Sequence, residues 1–422
     1  MKKRIFPAIG LIITILIIGC HKSQTLVQTD LPLPETKMEK YLRQLPPGEL
    51  ALRKITDPAE IPDFTGACND LSNLRTAIIN SLDYLKKPSS KQFYPYGEIN
   101  HKQVEDSLNA FLKLIDSGYK GAQLNALIRE RFDIYLSVGC DNKGTVLFTG
   151  YYTPIFEGST QAGGRFKYPL YGQPEDLVKN SEGTTLGRRV GDNIVPYPPR
   201  AEIEKSGILK GKEIIWLSDP FEAYIAHVQG SAKIRQSDGS IIGIGYVANS
   251  GHEYKSIAQR MLDDGKISRD QMSLSSMIAY FKSHPDEVPE YTRMNPRFVF
   301  FHRTDGQPRG SLNEPVTTLR TIATDKSIFP RASLAFISTT LPRTSGGSLI
   351  QSQYSGFTLD QDTGGAIRAP GRCDVYIGQG DIAGEMAGQT FREGRLYYLF
   401  IKPEYQNAMT VKLPDKKKSK QK

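Results

Sequence analysis

Residues 358–388, TLDQDTGGAIRAPGRCDVYIGQGDIAGEMAG, constrain this chain more than any other stretch. Four aspartates, Asp360, Asp362, Asp374 and Asp381, stand there among glycines. Asp374 opens the alternation Asp-Val-Tyr-Ile-Gly, which predicts a strand. Gly364, Gly365 and Gly371 allow the chain to turn tightly between Asp362 and Asp374. The pattern therefore predicts two carboxylates on one sheet edge. Cys373, Val375 and Ile377 surround Asp374 with apolar neighbours, and an apolar wall raises a carboxyl pKa. A carboxylic acid held neutral is what a general acid requires. The plain alternative is turn chemistry, in which Asp beside Gly bonds nearby backbone N–H groups. Asp362-Thr363-Gly364 also spells the DTG of aspartic proteases. That signature follows an apolar run and precedes Ser, Thr or Ala, whereas Gln361 and Gly365 flank it here.

At 422 residues the chain is longer than one ordinary domain. The start, MKKRIFPAIGLIITILIIGC, reads as a signal peptide over 1–19, with Lys2, Lys3 and Arg4 before a short apolar core. Ile17-Ile18-Gly19-Cys20 matches a lipobox, so Cys20 is the expected lipidation site; an uncleaved anchor helix is the alternative. Residues 20–50 are polar, contain Pro and read as a tether, with Tyr41, Leu42 and Leu45 as candidates to begin the folded part. Residues 51–144 read as a helical block. Its stripes run Leu71, Leu74, Ile78, Ile79, Leu82; then, after an Asn100/Gln103 capping box, Val104, Leu108, Phe111, Leu112, Ile115; then Leu124, Leu127, Ile128, Phe132, Ile134. Cys68 and Cys140 bracket the block and are either a disulfide or, with Cys373, buried free thiols. No CxxC or HExxH occurs, so no metal and no cofactor is expected.

From residue 145 the composition shifts to Gly, Tyr, Thr and Val, as β structure requires. VLFTGYYTPIFEGS (146–159) combines a strand with Tyr151, Tyr152 and Glu157. Adjacent strand residues face opposite ways, so at least one Tyr can meet a groove and stack on a sugar. Glu157 is a candidate second acid. Gln229, Gly230, Ser231, Tyr246, Asn249 and Tyr254 are polar or aromatic residues in Gly-rich surroundings, suited to lining a cleft. His227 and His252 read as structural. The formal charge is +9, but loss of Lys2, Lys3 and Arg4 would leave +6, and the tail PDKKKSKQK carries +4 of that. A body near +2 has no basic stripe for nucleic acid, and 406–422 reads as a disordered basic tail.

QDTGGAI, CDVYIGQG, AGEMAG and GRLYYLFIKP resemble the three-aspartate domain of the membrane-bound lytic murein transglycosylase A family. RTIATDKSIFP, GYYTP and FKYPLYGQPEDL resemble further segments of it, over roughly residues 60 to 405. The resemblance implies Asp374 as the catalytic acid, with Asp362 beside it and Asp325 as a supporting third aspartate. It implies a mainly β fold with an N-terminal helical block packed on a double-psi β-barrel like that of barwin and related endoglucanases. The barrel would comprise 145–160 and 305–405, with a β-rich substrate domain inserted at 161–304 and a groove between the two. The implied activity is a carbon–oxygen lyase that cleaves the β-1,4 bond between N-acetylmuramic acid and N-acetylglucosamine. Its products end in 1,6-anhydromuramic acid. Peptidoglycan glycan strands are the expected partner, with a cell-wall synthesis or division complex as a candidate assembly. The expected location is the periplasm, with the lipid on Cys20 in the outer membrane. A wall-binding lipoprotein without catalysis and a glycoside hydrolase on the same barrel are the alternatives.

Overall fold

The computed structural model describes residues 38–181, 183–268, 274–304 and 306–406. The leader, Cys20 and the basic tail from residue 407 lie outside the described residues.

Three helices, Leu74–Lys86, His101–Asp116 and Gly121–Arg131, follow from the apolar stripes. Leu74, Ile78, Val104, Leu108, Phe111, Leu124 and Ile128 are all buried in one core. Asn100 caps the second helix by accepting a 2.8 Å hydrogen bond from the Gln103 N–H. The third stripe stops earlier than its sequence suggests. Phe132 and Ile134 lie on a strand, Phe132–Ser137, that pairs with Phe391–Ile401. The apolar residues Phe132, Ile134 and Leu136 recur every second position, and this two-residue period overrides the helical one. An Asp-Ser-Gly at 116–118 closes the second helix, where Asp116 pairs with Arg75 at 3.1 Å. It forms no counterpart to the Asp362-Thr363-Gly364 turn, which leaves the protease reading without its second loop.

Six strands close into a ring: Val146–Thr153, Arg372–Gln379, Thr321–Ala323, Ser348–Asp362, Leu334–Ser345 and Phe391–Ile401, each paired with the next. Phe391–Ile401 closes the ring because its first half pairs with Val146–Thr153 and its second with Leu334–Ser345. Two pairings are parallel, Thr321–Ala323 with Ser348–Asp362 and Arg372–Gln379 with Val146–Thr153. Phe148, Ile322, Phe336, Phe357, Leu359, Val375 and Tyr398 are buried in the core shared by the ring and the helices.

Val146–Thr153 runs through Pro154 into Ile155–Ser159, which belongs to a second sheet. That sheet orders Val299–Thr304, Ile241–Asn249, Ser231–Arg235, Ile155–Ser159, Glu213–Leu217 and Tyr168–Tyr171. It has its own core, with Ile215, Leu217, Phe221, Ile225, Ile234 and Phe301. Folded chain begins within the stretch read as a tether: Tyr41 is buried against Cys140 and Leu147, and its hydroxyl donates to Glu393 at 2.6 Å. Cys68, Cys140 and Cys373 are buried free thiols, so the Cys68–Cys140 bridge does not form. Cys68 packs in the shared core, whereas Cys140 packs beside Tyr41.

Candidate active site

Strand pairing builds the site. Ala323 pairs with Asp362 on one side and with Asp374 on the other, and Asp374 pairs in turn with Thr149. Asp362, Ala323, Asp374 and Thr149 therefore form one row across four strands. Neighbouring strands are about 4.8 Å apart, which sets the two aspartate Cα atoms about 10 Å apart. The small, buried Ala323 stands between them.

Asp362 reaches this face through a β-bulge. The pairing runs Asp360 to Ile322 and then Asp362 to Ala323, so Gln361 is the extra residue. In an unbroken strand Asp360 and Asp362, two residues apart, would point the same way; the bulge turns them to opposite sides. Asp360 is fully buried inside, with Lys326 in an ion pair, the Thr324 hydroxyl at 2.8 Å and the Tyr398 hydroxyl at 2.7 Å. Gln361 is buried and donates to Ala77 O at 2.8 Å, which anchors the bulge on the first helix.

The two site carboxyls differ in their donors. Asp362 Oδ1 accepts from the N–H groups of Ser311 and Thr363, both at 2.8 Å, and Oδ2 accepts from the Tyr151 hydroxyl at 2.9 Å. A Cβ at Gly310 would stand 2.8 Å from Gln361 O and 3.1 Å from Asp362 Cγ, so only glycine lets the 310–311 backbone come this close. Asp374 Oδ1 accepts from the Thr149 hydroxyl, which itself accepts from Arg372 Nη2 at 3.1 Å. Burial raises both pKa values. For Asp362 this is opposed by the two backbone donors, Tyr151 and the Lys326 charge. For Asp374 it is opposed by Thr149 and Arg372 and reinforced by the Asp362 charge. Asp362 thus has three donors, whereas Asp374 has the single hydroxyl of Thr149 and the added repulsion of the Asp362 charge.

Asp325 lies elsewhere in the same segment. It is buried, accepts from the Ser327 N–H and hydroxyl at 3.1 and 2.6 Å, and accepts from Ala369 N at 3.0 Å. Asp325 thereby ties down the loop that joins Asp362 to Asp374.

The remaining expected site residues divide. Tyr151 bonds Asp362 and packs its ring 5.2 Å from Tyr376. Tyr152 does not line a groove; it is buried in the core against Gly384. Its backbone N–H donates to Gln229 Oε1 at 3.2 Å, which joins the barrel strand to the helix Pro220–Gln229. Gly230 caps that helix in the left-handed conformation at φ 74°, and Ser231 starts the next strand opposite Gly245. Tyr246 is exposed and accepts from Asn249 Nδ2 at 2.6 Å. Tyr254 and Arg297 approach the Asp362–Asp374 loop: a Cβ at Gly365 would stand 3.4 Å from Tyr254 Cβ and 3.5 Å from Arg297 Cζ. Glu157 is not beside Asp374; it lies on the second sheet with Arg235 at 3.3 Å and Arg165 at 3.8 Å. His227 is buried beside Phe298 and Phe301 and accepts from Val299 N at 3.0 Å, and His252 contacts Tyr197 O at 2.8 Å.

Thr149, Arg372, Ser311 and Arg297 are absent from the sequence reading. Two of them had a signal. Arg372 is two residues before Asp374, and Thr149 two before Tyr151, so alternation placed each on the site face. A hollow of about 280 Å³ lies instead beside Lys326 and Arg331. Both cations there are engaged, Lys326 by Asp360 and Arg331 over the Phe93 ring at 3.7 Å.

The profile of the MltA specific insert domain matches residues 147–302, and that of the 3D domain matches residues 320–400. The membrane-bound lytic murein transglycosylase A of Escherichia coli strain K12 is 32% identical over 276 residues, which is 64% of this chain and 70% of that protein. The chain belongs to the membrane-bound lytic murein transglycosylase A family. The family's enzyme from Vibrio cholerae is 29% identical over 66% of this chain and 72% of its own. The crystal structure of a membrane-bound lytic murein transglycosylase from Agrobacterium tumefaciens superposes with a TM-score of 0.69 at 25% identity, covering 84% of this chain and 99% of that one. The structure of E. coli MltA with bound chitohexaose superposes with a TM-score of 0.63 at 25% identity, covering 84% and 95%.

Proposed function

We propose that this family member is a peptidoglycan lytic transglycosylase in which Asp374 alone serves as acid and then base. The observation that carries the reading is the row Asp362–Ala323–Asp374–Thr149. It sets a half-buried carboxyl whose pKa is raised by burial and, in addition, by the Asp362 charge. Protonated Asp374 gives its proton to the β-1,4 glycosidic oxygen between N-acetylmuramic acid and N-acetylglucosamine as that bond breaks. Positive charge develops at the muramic ring and is stabilised by ionised Asp362. Asp374, now a carboxylate, removes the proton from the C6 hydroxyl of the same muramic acid, whose oxygen closes on C1. The attacking group is intramolecular, which supplies the advantage of proximity. The product end is 1,6-anhydromuramic acid, and no water is consumed.

The barrel reads as double-psi, supported by the two parallel pairings within its six-strand ring. The glycan strand would lie between the barrel and the inserted sheet, with Tyr246, Asn249, Tyr254 and Arg297 on the insert side and Tyr151 on the barrel side. The relatives named membrane-bound support a membrane-associated periplasmic enzyme. A lipid on Cys20 in the outer membrane is the anchor that the leader suggests.

The test is digestion of purified sacculi. The soluble chain without Cys20 should lower turbidity. Asp374→Asn should lose about two orders of magnitude or more in rate while still binding sacculi. Full activity in Asp374→Asn would contradict the assignment.

A further inference from the structure

Arg372 is an unusual neighbour for a general acid. Its residue is 4% exposed, and its Nε has no hydrogen-bond partner. Among the described residues, no carboxylate lies within ion-pair distance of it. A buried guanidinium with no carboxylate in direct contact is costly, and the charge of Asp374, reached through Thr149, is what offsets that cost. Among the described residues, the Arg372 side chain donates to the Thr149 hydroxyl at 3.1 Å, and that hydroxyl bonds Asp374 Oδ1.

A guanidinium only donates, so Thr149 Oγ1 accepts from Arg372. When Asp374 is ionised its carboxylate only accepts, and the Thr149 hydrogen points at Oδ1. Oδ1 is thereby engaged by Thr149, and Oδ2 is the oxygen that Thr149 does not engage.

We propose that Arg372 and Thr149 are positioning residues for Asp374, a two-step relay that fixes its reactive oxygen as Oδ2 and links its ionisation to a buried cation. The inference rests on Asp374 being the acid and base. It adds how one carboxyl performs both steps. Before cleavage the relay orients the proton on Oδ2. After that proton has gone to the glycosidic oxygen, the same relay stabilises the carboxylate that must collect the C6 hydroxyl proton on Oδ2. Neither step changes the protonation of Thr149 or Arg372.

The titratable and charged groups that act on Asp374 or are acted on by it are Asp362, Tyr151, Cys373 and Arg372. The helix Gly380–Gly388 also packs on these strands, but its Asp381 acts on Tyr152 and Glu222. Arg372 and the Thr149 hydrogen bond hold the Asp374 pKa down, against burial and Asp362. Removing either raises that pKa. Activity that needs the acid form is lost as pH rises through it, so the alkaline limb of the rate profile moves upward.

The experiment measures release of anhydro-muropeptides from sacculi against pH for Thr149→Val, Thr149→Ser, Arg372→Gln and Arg372→Lys, with a melting temperature for each. Thr149→Val, which keeps shape, should move the alkaline limb up by about one pH unit and cut the best rate about tenfold. Thr149→Ser should restore both. Arg372→Gln should move the limb the same way, and Arg372→Lys should leave it in place. A limb unmoved in folded Thr149→Val, or moved equally in Thr149→Ser, would overturn the relay. If Arg372 variants do not fold, the Thr149 pair still decides. Asp374→Asn in the same assay separates the two ideas: an active Asp374→Asn removes the acid–base reading itself, whereas an inactive one with an unmoved Thr149→Val limb removes only the relay.

Discussion

Asp374 is held where ionisation is disfavoured, so the acid–base role proposed for it opposes stability. Its pKa is raised by burial first and by the Asp362 charge as well. A raised folded-state pKa means a stabilising contribution that is present at low pH and lost as pH rises through that value. Asp374→Asn cannot ionise and escapes the loss. Its melting temperature should match wild type in acid and exceed it increasingly as pH rises; a deficit at neutral pH would show that the carboxylate is stabilised rather than desolvated. Tyr151→Phe removes one of three donors to Asp362 and should cost about tenfold in rate with little change in melting temperature. At this scale the sequence was informative about the acids and less so about what holds them. Asp362 and Asp374 stood out as charged residues between glycines. Tyr152 did not separate itself from Tyr151, because the alternation that puts one on each face does not say which face is the core.

The elements owe their arrangement to a few local irregularities. The Gln361 bulge turns Asp362 away from the interior that holds Asp360. Bulges depend on partner-strand register, and nothing in the string Asp-Gln-Asp announces one. The helical stripes and the β-rich middle were legible because their periods persist over many residues, whereas Phe132–Ser137 is short and follows a helix without a glycine or proline break. The helix Gly380–Gly388 comes close to the site strand at Gly150, where an added Cβ would stand 2.8 Å from Ala387 Cα. Gly150→Ala must push helix and strand apart, and denaturant unfolding should show a loss of about 1–3 kcal/mol. An unchanged midpoint would mean that the helix is not pinned there.

The whole molecule sets one rigid row of side chains on a ring of strands and connects it, through Pro154, to a second sheet with its own core. The order of motifs made the family legible. The contact of Tyr254 and Arg297 with the Asp362–Asp374 loop was not, since more than a hundred positions separate Tyr254 from Gly365 in the chain. At this scale Cys20→Ala should release the protein from the membrane fraction, and firm retention would point to an uncleaved leader helix instead. The central claim is that one carboxyl drives an intramolecular closure. Its most direct test is mass spectrometry of the fragments released from sacculi in oxygen-18 water. The account predicts 1,6-anhydromuramic acid ends without the heavy isotope; reducing muramic acid ends carrying it would contradict the account and mark a hydrolase.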